Sequence, residues 1–274
     1  MAKIRSEDRF QYSEKIKVYK ESIASYLKRE AMVLQVLKKG TDGAAWKRLA
    51  MVDEMINLAS NYIILSGVSQ SMLKLRNEEA LNDGRKSLYK AVIYLEEVVS
   101  NLVDAPYSEY EERLKEISSL DAGRRYLLAR RLGLALELLK NAYGDNTKWK
   151  WAFVELEGRC AAAIKNILDL KKAAANTDPR SPAYEPSVRH ILLVKKLLMQ
   201  AADRYREKYE LSTNRIDDFK IGINFLSALK RLHLILGESA EADMVKKKLD
   251  IWAARLEVDV KKQEEANLKK LTNG

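Results

Sequence analysis

Residues 85–104 read RKSLYKAVIYLEEVVSNLVD, and the spacing of their apolar side chains decides the fold class. Leu88, Val92, Leu95, Val99 and Leu102 advance by four, three, four and three positions. That spacing lays one apolar stripe along a helix with a single buried side. The pattern recurs through the chain, with Leu49, Val52, Ile56, Ala59 and Ile63 forming a second stripe and Leu128, Leu132, Ala135 and Leu139 a third. Phe153, Leu156, Cys160, Ala163, Ile167 and Leu170 form another, and Val245, Leu249, Trp252, Leu256 and Val260 the last. No comparably long stretch alternates with the period of two that a half-buried strand requires. The expected fold is all-α: an array or bundle of about eight long antiparallel helices.

Punctuation between the stripes supplies the organisation. Asp104-Ala105-Pro106 is expected to stop a helix, because proline disfavours helical backbone in the residue before it, and Ser108 followed by Glu111 reads as the capping pair of the next. Short turns at Gly40 to Gly43 and Gly144 to Asn146 predict antiparallel neighbours. The longest polar break, NTDPRSPAYEP from Asn176 to Pro186, holds three of the four prolines and reads as an exposed loop.

Set side by side, these signals suggest a duplication. A helix ending near Leu37-Lys38, a turn at Gly40, a helix opening at Trp46-Lys47, a break near Asn82-Asp83-Gly84 and a helix ending near Val103 match, in order, a later series. That series is a helix ending near Leu139-Lys140, a turn at Gly144, a helix opening at Trp149-Lys150, the proline-rich break and a helix to about Tyr209. A helix to Leu236, a turn at Gly237 and a helix from about Ala240 would be a third, truncated unit. The expected division is therefore 1–105, 106–211 and 212–274, packed as one continuous body. A period near 100 residues with long helices departs from the 33 to 47 residues of common helical solenoids.

Trp46 and Trp149 open equivalent helices in this scheme, and the first expectation is that each ring caps one end of a core beneath its turn. The competing use, as platforms for stacked bases flanked by Lys47, Lys148 and Lys150, has suitable residue types on an unsuitable, helical setting.

The chemistry-bearing residues are sparse. Cys160 continues an apolar stripe and reads as a packed hydrophobe; as the sole cysteine it cannot close an internal disulfide. His190 and His233, the two histidines, follow Ser187 and Lys230 at the third position back, so the Glu-x-x-His pattern of helical di-iron bundles is absent. One cysteine and two distant histidines do not supply a zinc ligand set. Neither GxxxxGK[ST] nor GxGxxG occurs, and the strand such loops follow is missing as well. We expect no enzymatic activity and no cofactor.

A formal net charge of +10 bears on partners rather than on fold. Basic clusters at AGRRYLLARRLGL (Arg124, Arg125, Arg130, Arg131), at Lys148 and Lys150, and at Lys246, Lys247 and Lys248 are the candidate contacts for an anion or a partner. The opening residues MAKIRSEDRF carry no long apolar stretch, and no segment approaches the roughly 20 apolar residues that span a bilayer. The sequence therefore points to a cytoplasmic protein with no integral membrane segment. Its expected role is a non-enzymatic helical interaction or scaffold protein. Protein partners are expected, including a second copy of the chain through the C-terminal hairpin; the alternative is a helical protein that binds nucleic acid or another polyanion on its basic faces.

Overall fold

The computed structural model describes the backbone of residues 5–40, 42–145 and 147–272 and the side chains as far as 265. Thr41 and Asn146, which fall in the two short turns, lie outside the described residues, as do residues 1–4 of the opening segment. Among the described residues there are ten α-helices and no strand, and the architecture is an all-α helical array. The helices are α1 (Ser6–Lys39), α2 (Ala44–Leu73), α3 (Glu78–Val98), α4 (Glu111–Glu116), α5 (Ala122–Tyr143), α6 (Lys150–Ile167), α7 (Leu170–Ala175), α8 (Tyr184–Lys208), α9 (Ile216–Ile235) and α10 (Ser239–Thr272). No described helix is long and apolar enough to cross a membrane.

The chain packs as two compact units: residues 1–101 with 110–153, and residues 102–109 with 154–274. In the first, α2 lies at the centre with α1, α3 and α5 against it. Its core is the meeting of the expected stripes, Val52, Met55 and Ala59 of α2 with Leu88, Val92 and Leu95 of α3 and Leu132 and Leu139 of α5. In the second, α9 packs between α8 and α10, and α6 contributes Leu156, Cys160, Ala163 and Ile167 to the interior. There Phe219 of α9 contacts the ring of Trp252 of α10 at 5.6 Å between centroids. Both units therefore close by burying one stripe per helix, which is where most helical stability arises.

Four sequence expectations are corrected. The break placed at Asn82-Asp83-Gly84 lies inside α3, and the real break is at Lys74 to Asn77, where the Asn77 side chain accepts from Ala80 N at 3.0 Å and caps the helix. Gly84 is buried instead: a β-carbon there would lie 3.4 Å from Tyr62 Cβ and 3.5 Å from both Ala59 O and Leu139 Cδ1. Those distances are ordinary van der Waals contacts, so glycine is accommodated at this buried position of the helix without a close approach demanding it.

Helix α3 also stops earlier than Pro106 demands, at Val98, so Leu102 leaves the stripe and is exposed. Ser108 lies within a single 3-10 turn (Tyr107–Glu109) rather than capping a helix, and α4 starts after Tyr110. The second series breaks before its proline segment as well: α6 ends at Ile167, and the short α7, capped by Asp169 accepting from Lys172 N at 3.3 Å, follows it.

Candidate functional site

The site is built where α2 and α5 of the first unit diverge. Gly43 precedes α2 with φ of 60°, a left-handed backbone that favours glycine, and this turn sets Trp46 in the first turn of the helix. On α2, Trp46, Ala50, Asp53 and Asn57 follow one another at helical spacing along one side. Opposite them, α5 begins after Asp121, whose carboxylate accepts from Arg124 N at 2.8 Å. An acidic cap there satisfies an otherwise unpaired N–H and suits the positive end of the helix.

Arg125 holds the approach to α5. Its side chain is buried, and it donates to the carbonyls of Leu120 and Ile117, each at 2.8 Å. Both carbonyls lie in the turn after α4, so the guanidinium ties that turn to α5 and places Leu120 beside α2.

Between the helices lies an open cleft of about 310 Å³, lined among others by Trp46, Leu49, Leu120, Leu127, Arg124 and Arg131. Its floor is apolar, with Leu49 buried, while Trp46 is 39% exposed and Leu127 53% exposed. Arg131 bridges the two helices by pairing with Asp53 and donating to Asn57 Oδ1 at 2.9 Å. Arg124, two helical turns earlier on α5, is exposed, and its one ion pair among the described residues is a 3.4 Å approach to Asp121. The cleft can thus take up apolar side chains and offer a guanidinium to a carboxylate at its edge.

The other sequence candidates have separate placements. Arg130 is exposed on α5 but does not line the cleft. Lys148 lies 5.3 Å from the Trp149 ring and Lys150 5.0 Å from the Trp151 ring. Lys246 and Lys247 are exposed on α10, whereas Lys248 is bonded to Asp203 at 2.7 Å and faces the Trp252 ring at 5.0 Å. Of the four arginines in the first cluster, the fold brings Arg124 and Arg131 to the cleft and buries Arg125. The expectation that Arg125 is a surface contact is corrected, because two main-chain carbonyls satisfy its charge.

The tryptophans also differ from each other. Trp46 stands on the cleft rim and does not cap the core, while Trp149 is half-buried with the Arg85 guanidinium over its ring at 4.2 Å. Leu127 was not among the sequence candidates. Its signal is the Leu127-Leu128 pair: adjacent residues on a helix point about 100° apart, so the one stripe cannot bury both. Leu134 and Leu138 extend the same exposed line along α5.

The remaining chemistry-bearing side chains are occupied structurally. Burial pushes the Cys160 thiol up to about 12, with the neighbouring Glu157 carboxylate acting in the same direction. His190 Nε2 lies 3.1 Å from Ile164 O, and His233 Nδ1 lies 2.6 Å from Glu238 Oε2. Among the described residues, no group of three His, Cys, Asp or Glu side chains is placed to hold a metal ion.

Fold and cleft together define an all-α protein of two compact units, one of which carries an open apolar cleft rimmed by arginine. The chain belongs to the TP0443 family, whose family model matches residues 8–260. No curated protein and no solved structure matches it.

Proposed function

We propose that this chain is a helical interaction protein and that the α2–α5 cleft is where a partner protein docks. One observation carries the reading: an exposed tryptophan on α2 and an exposed leucine on α5 line the same open cleft, together with the apolar Leu49 and Leu120. Tryptophan and arginine are the residue types that concentrate binding energy at protein interfaces, and here Trp46, Arg124 and Arg131 share one site. The occupant is a segment that inserts an apolar side chain over Leu49 and sets an acidic residue against Arg124, whose charge is the less neutralised of the two. The polyanion alternative has less support, since Arg125 is spent on carbonyls and Arg131 on Asp53.

The test places a photo-crosslinking amino acid at Leu127 and, as a control outside the cleft, at Arg130, in the full chain. The expected product is a protein adduct from Leu127 that is absent from Arg130, survives nuclease and disappears with Trp46→Ala. A nucleic-acid adduct, equal yields at the two positions, or indifference to Trp46→Ala overturns the reading.

A further inference from the structure

Helix α10 has two opposed apolar faces, and the second unit uses only one of them. Ala242, Val245, Leu249 and Trp252 are buried, with α9 as the neighbouring helix. Met244, Ile251 and Val258 recur every seven residues and are 63%, 69% and 48% exposed. At 100° per residue this second line falls roughly 140° around the helix from the buried one. Packing within the unit therefore leaves it uncovered.

The charges beside that line are sorted by sign. Asp243, Asp250 and Glu257 run along one edge, each one residue before an exposed apolar position and each exposed. Lys248, Arg255 and Lys262 run along the other edge, each four residues after one. With Met244, Ile251 and Val258 at heptad position a, the acids occupy g and the bases e. In a parallel helix pair, g of one strand meets e of the next heptad on the other, so Asp243 meets Lys248, Asp250 meets Arg255 and Glu257 meets Lys262 of the second copy. An antiparallel pair would instead oppose acid to acid and base to base.

We infer that two copies of this chain associate through the outward face of α10, parallel and in register. This extends the reading of the chain as an interaction protein and stands on α10 alone, whatever fills the α2–α5 cleft. Ile251 and Val258 are β-branched, the side chains that favour two strands at position a, and Ala254 at d permits close approach. Lys247 and Lys261 at the other d positions weaken the seam, so the association is concentration-dependent. Lys248 and Arg255 already bond Asp203 at 2.7 Å and Asp259 at 2.8 Å within the unit, so at these two positions the cation is shared between its own acid and that of the second copy, and Lys262 is the least committed of the three. The exposed acids have no ion-pair partner of their own within 4 Å among the described residues, and a second copy would supply one.

Sedimentation equilibrium of the full chain over a range of concentrations is the first test, with a monomer–dimer equilibrium expected. Ile251→Asp should weaken it at least ~10-fold, and so should the double change Asp250→Lys with Glu257→Lys, which makes both edges basic. A second double variant, Arg255→Glu with Lys262→Glu, should also fail alone, yet mixing the two variants should restore dimers. Every changed residue is exposed, so far-ultraviolet circular dichroism should show unaltered helicity. Orientation is read from Val258→Cys, with the buried Cys160 left in place, which should form a disulfide with itself on oxidation. A strict monomer at every concentration, a dimer indifferent to Ile251→Asp, or cross-linking of 258 only to a cysteine at 244 overturns the proposal.

Discussion

Glu30 of α1 accepts a 2.6 Å hydrogen bond from the hydroxyl of Tyr94 on α3, and the ammonium of Lys90 lies 2.8 Å from its other oxygen. Glu30 and Tyr94 are both buried, so a charged group on the outermost helix of the first unit is held inside by two donors from one neighbour. Burial first, and then the bond to Glu30, raises the Tyr94 hydroxyl above its ordinary range. Glu30→Ala strands the Tyr94 hydroxyl and should cost about 1–3 kcal/mol, while Glu30→Gln keeps an acceptor and should cost less. Urea denaturation of the three proteins, followed by circular dichroism, checks the order.

Gly158 of α6 should not tolerate a methyl group. A β-carbon there would lie 2.6 Å from Tyr205 Cε2 and 3.2 Å from Phe225 Cζ, two rings that stack with centroids 5.8 Å apart. Alanine is the better helix former, so an isolated helix would gain; here overpacking should win and destabilise the second unit by about 1–3 kcal/mol. Denaturant titration of Gly158→Ala should show this loss, and a stability equal to the parent would mean that the rings move aside freely.

Lys165 should make the second unit more stable in mild alkali. Burial is the main cause that lowers its ammonium from 10.5 to about 8; the nearby Asp104 carboxylate works against the shift and Arg231 with it. Between those two values the unfolded chain binds a proton that the folded chain has released, so stability rises with pH across that window. It levels off below about 8, where both states are charged, and above 10.5, where both are neutral. Lys165→Met should remove the rise, and the difference between the two proteins should change by about 3 kcal/mol across the window. Parallel pH profiles that never diverge would contradict the burial of a charged group.

Cys160 should resist modification in the folded chain. A thiol with its pKa near 12 is protonated at neutral pH, and its side chain is closed off from solvent. Reaction with a colorimetric disulfide reagent should therefore proceed only on unfolding, with a rate that tracks denaturant. Rapid stoichiometric labelling in buffer would mean that α6 opens locally.

Residues 85–104 show how far the pattern of side chains reaches. Leu88, Val92 and Leu95 are buried as their spacing requires, and so are most positions of the other expected stripes, while Ile63, Leu128, Leu256 and Val260 are half-buried. Gly84 shows where a residue type misleads, because it is buried inside α3 and does not mark a chain break. The cleft was half legible. Arg124, Arg131 and Trp46 each stood out as residue types, yet nothing local indicated that a turn of α2 and a turn of α5 would set them around one space.

What the sequence by itself determined is the set of helices and the side each one buries. Helical hydrogen bonds run between residues four apart, so period and capping are written in neighbouring positions. Only the tertiary structure decided which cations remain available and which apolar side chains stay uncovered. Arg125 and Arg124 are adjacent, but one meets two carbonyls across a turn while the other meets solvent. Trp252 and Ile251 are divided likewise by what packs across from them, because burial belongs to the pair of surfaces that meet and not to the residue alone.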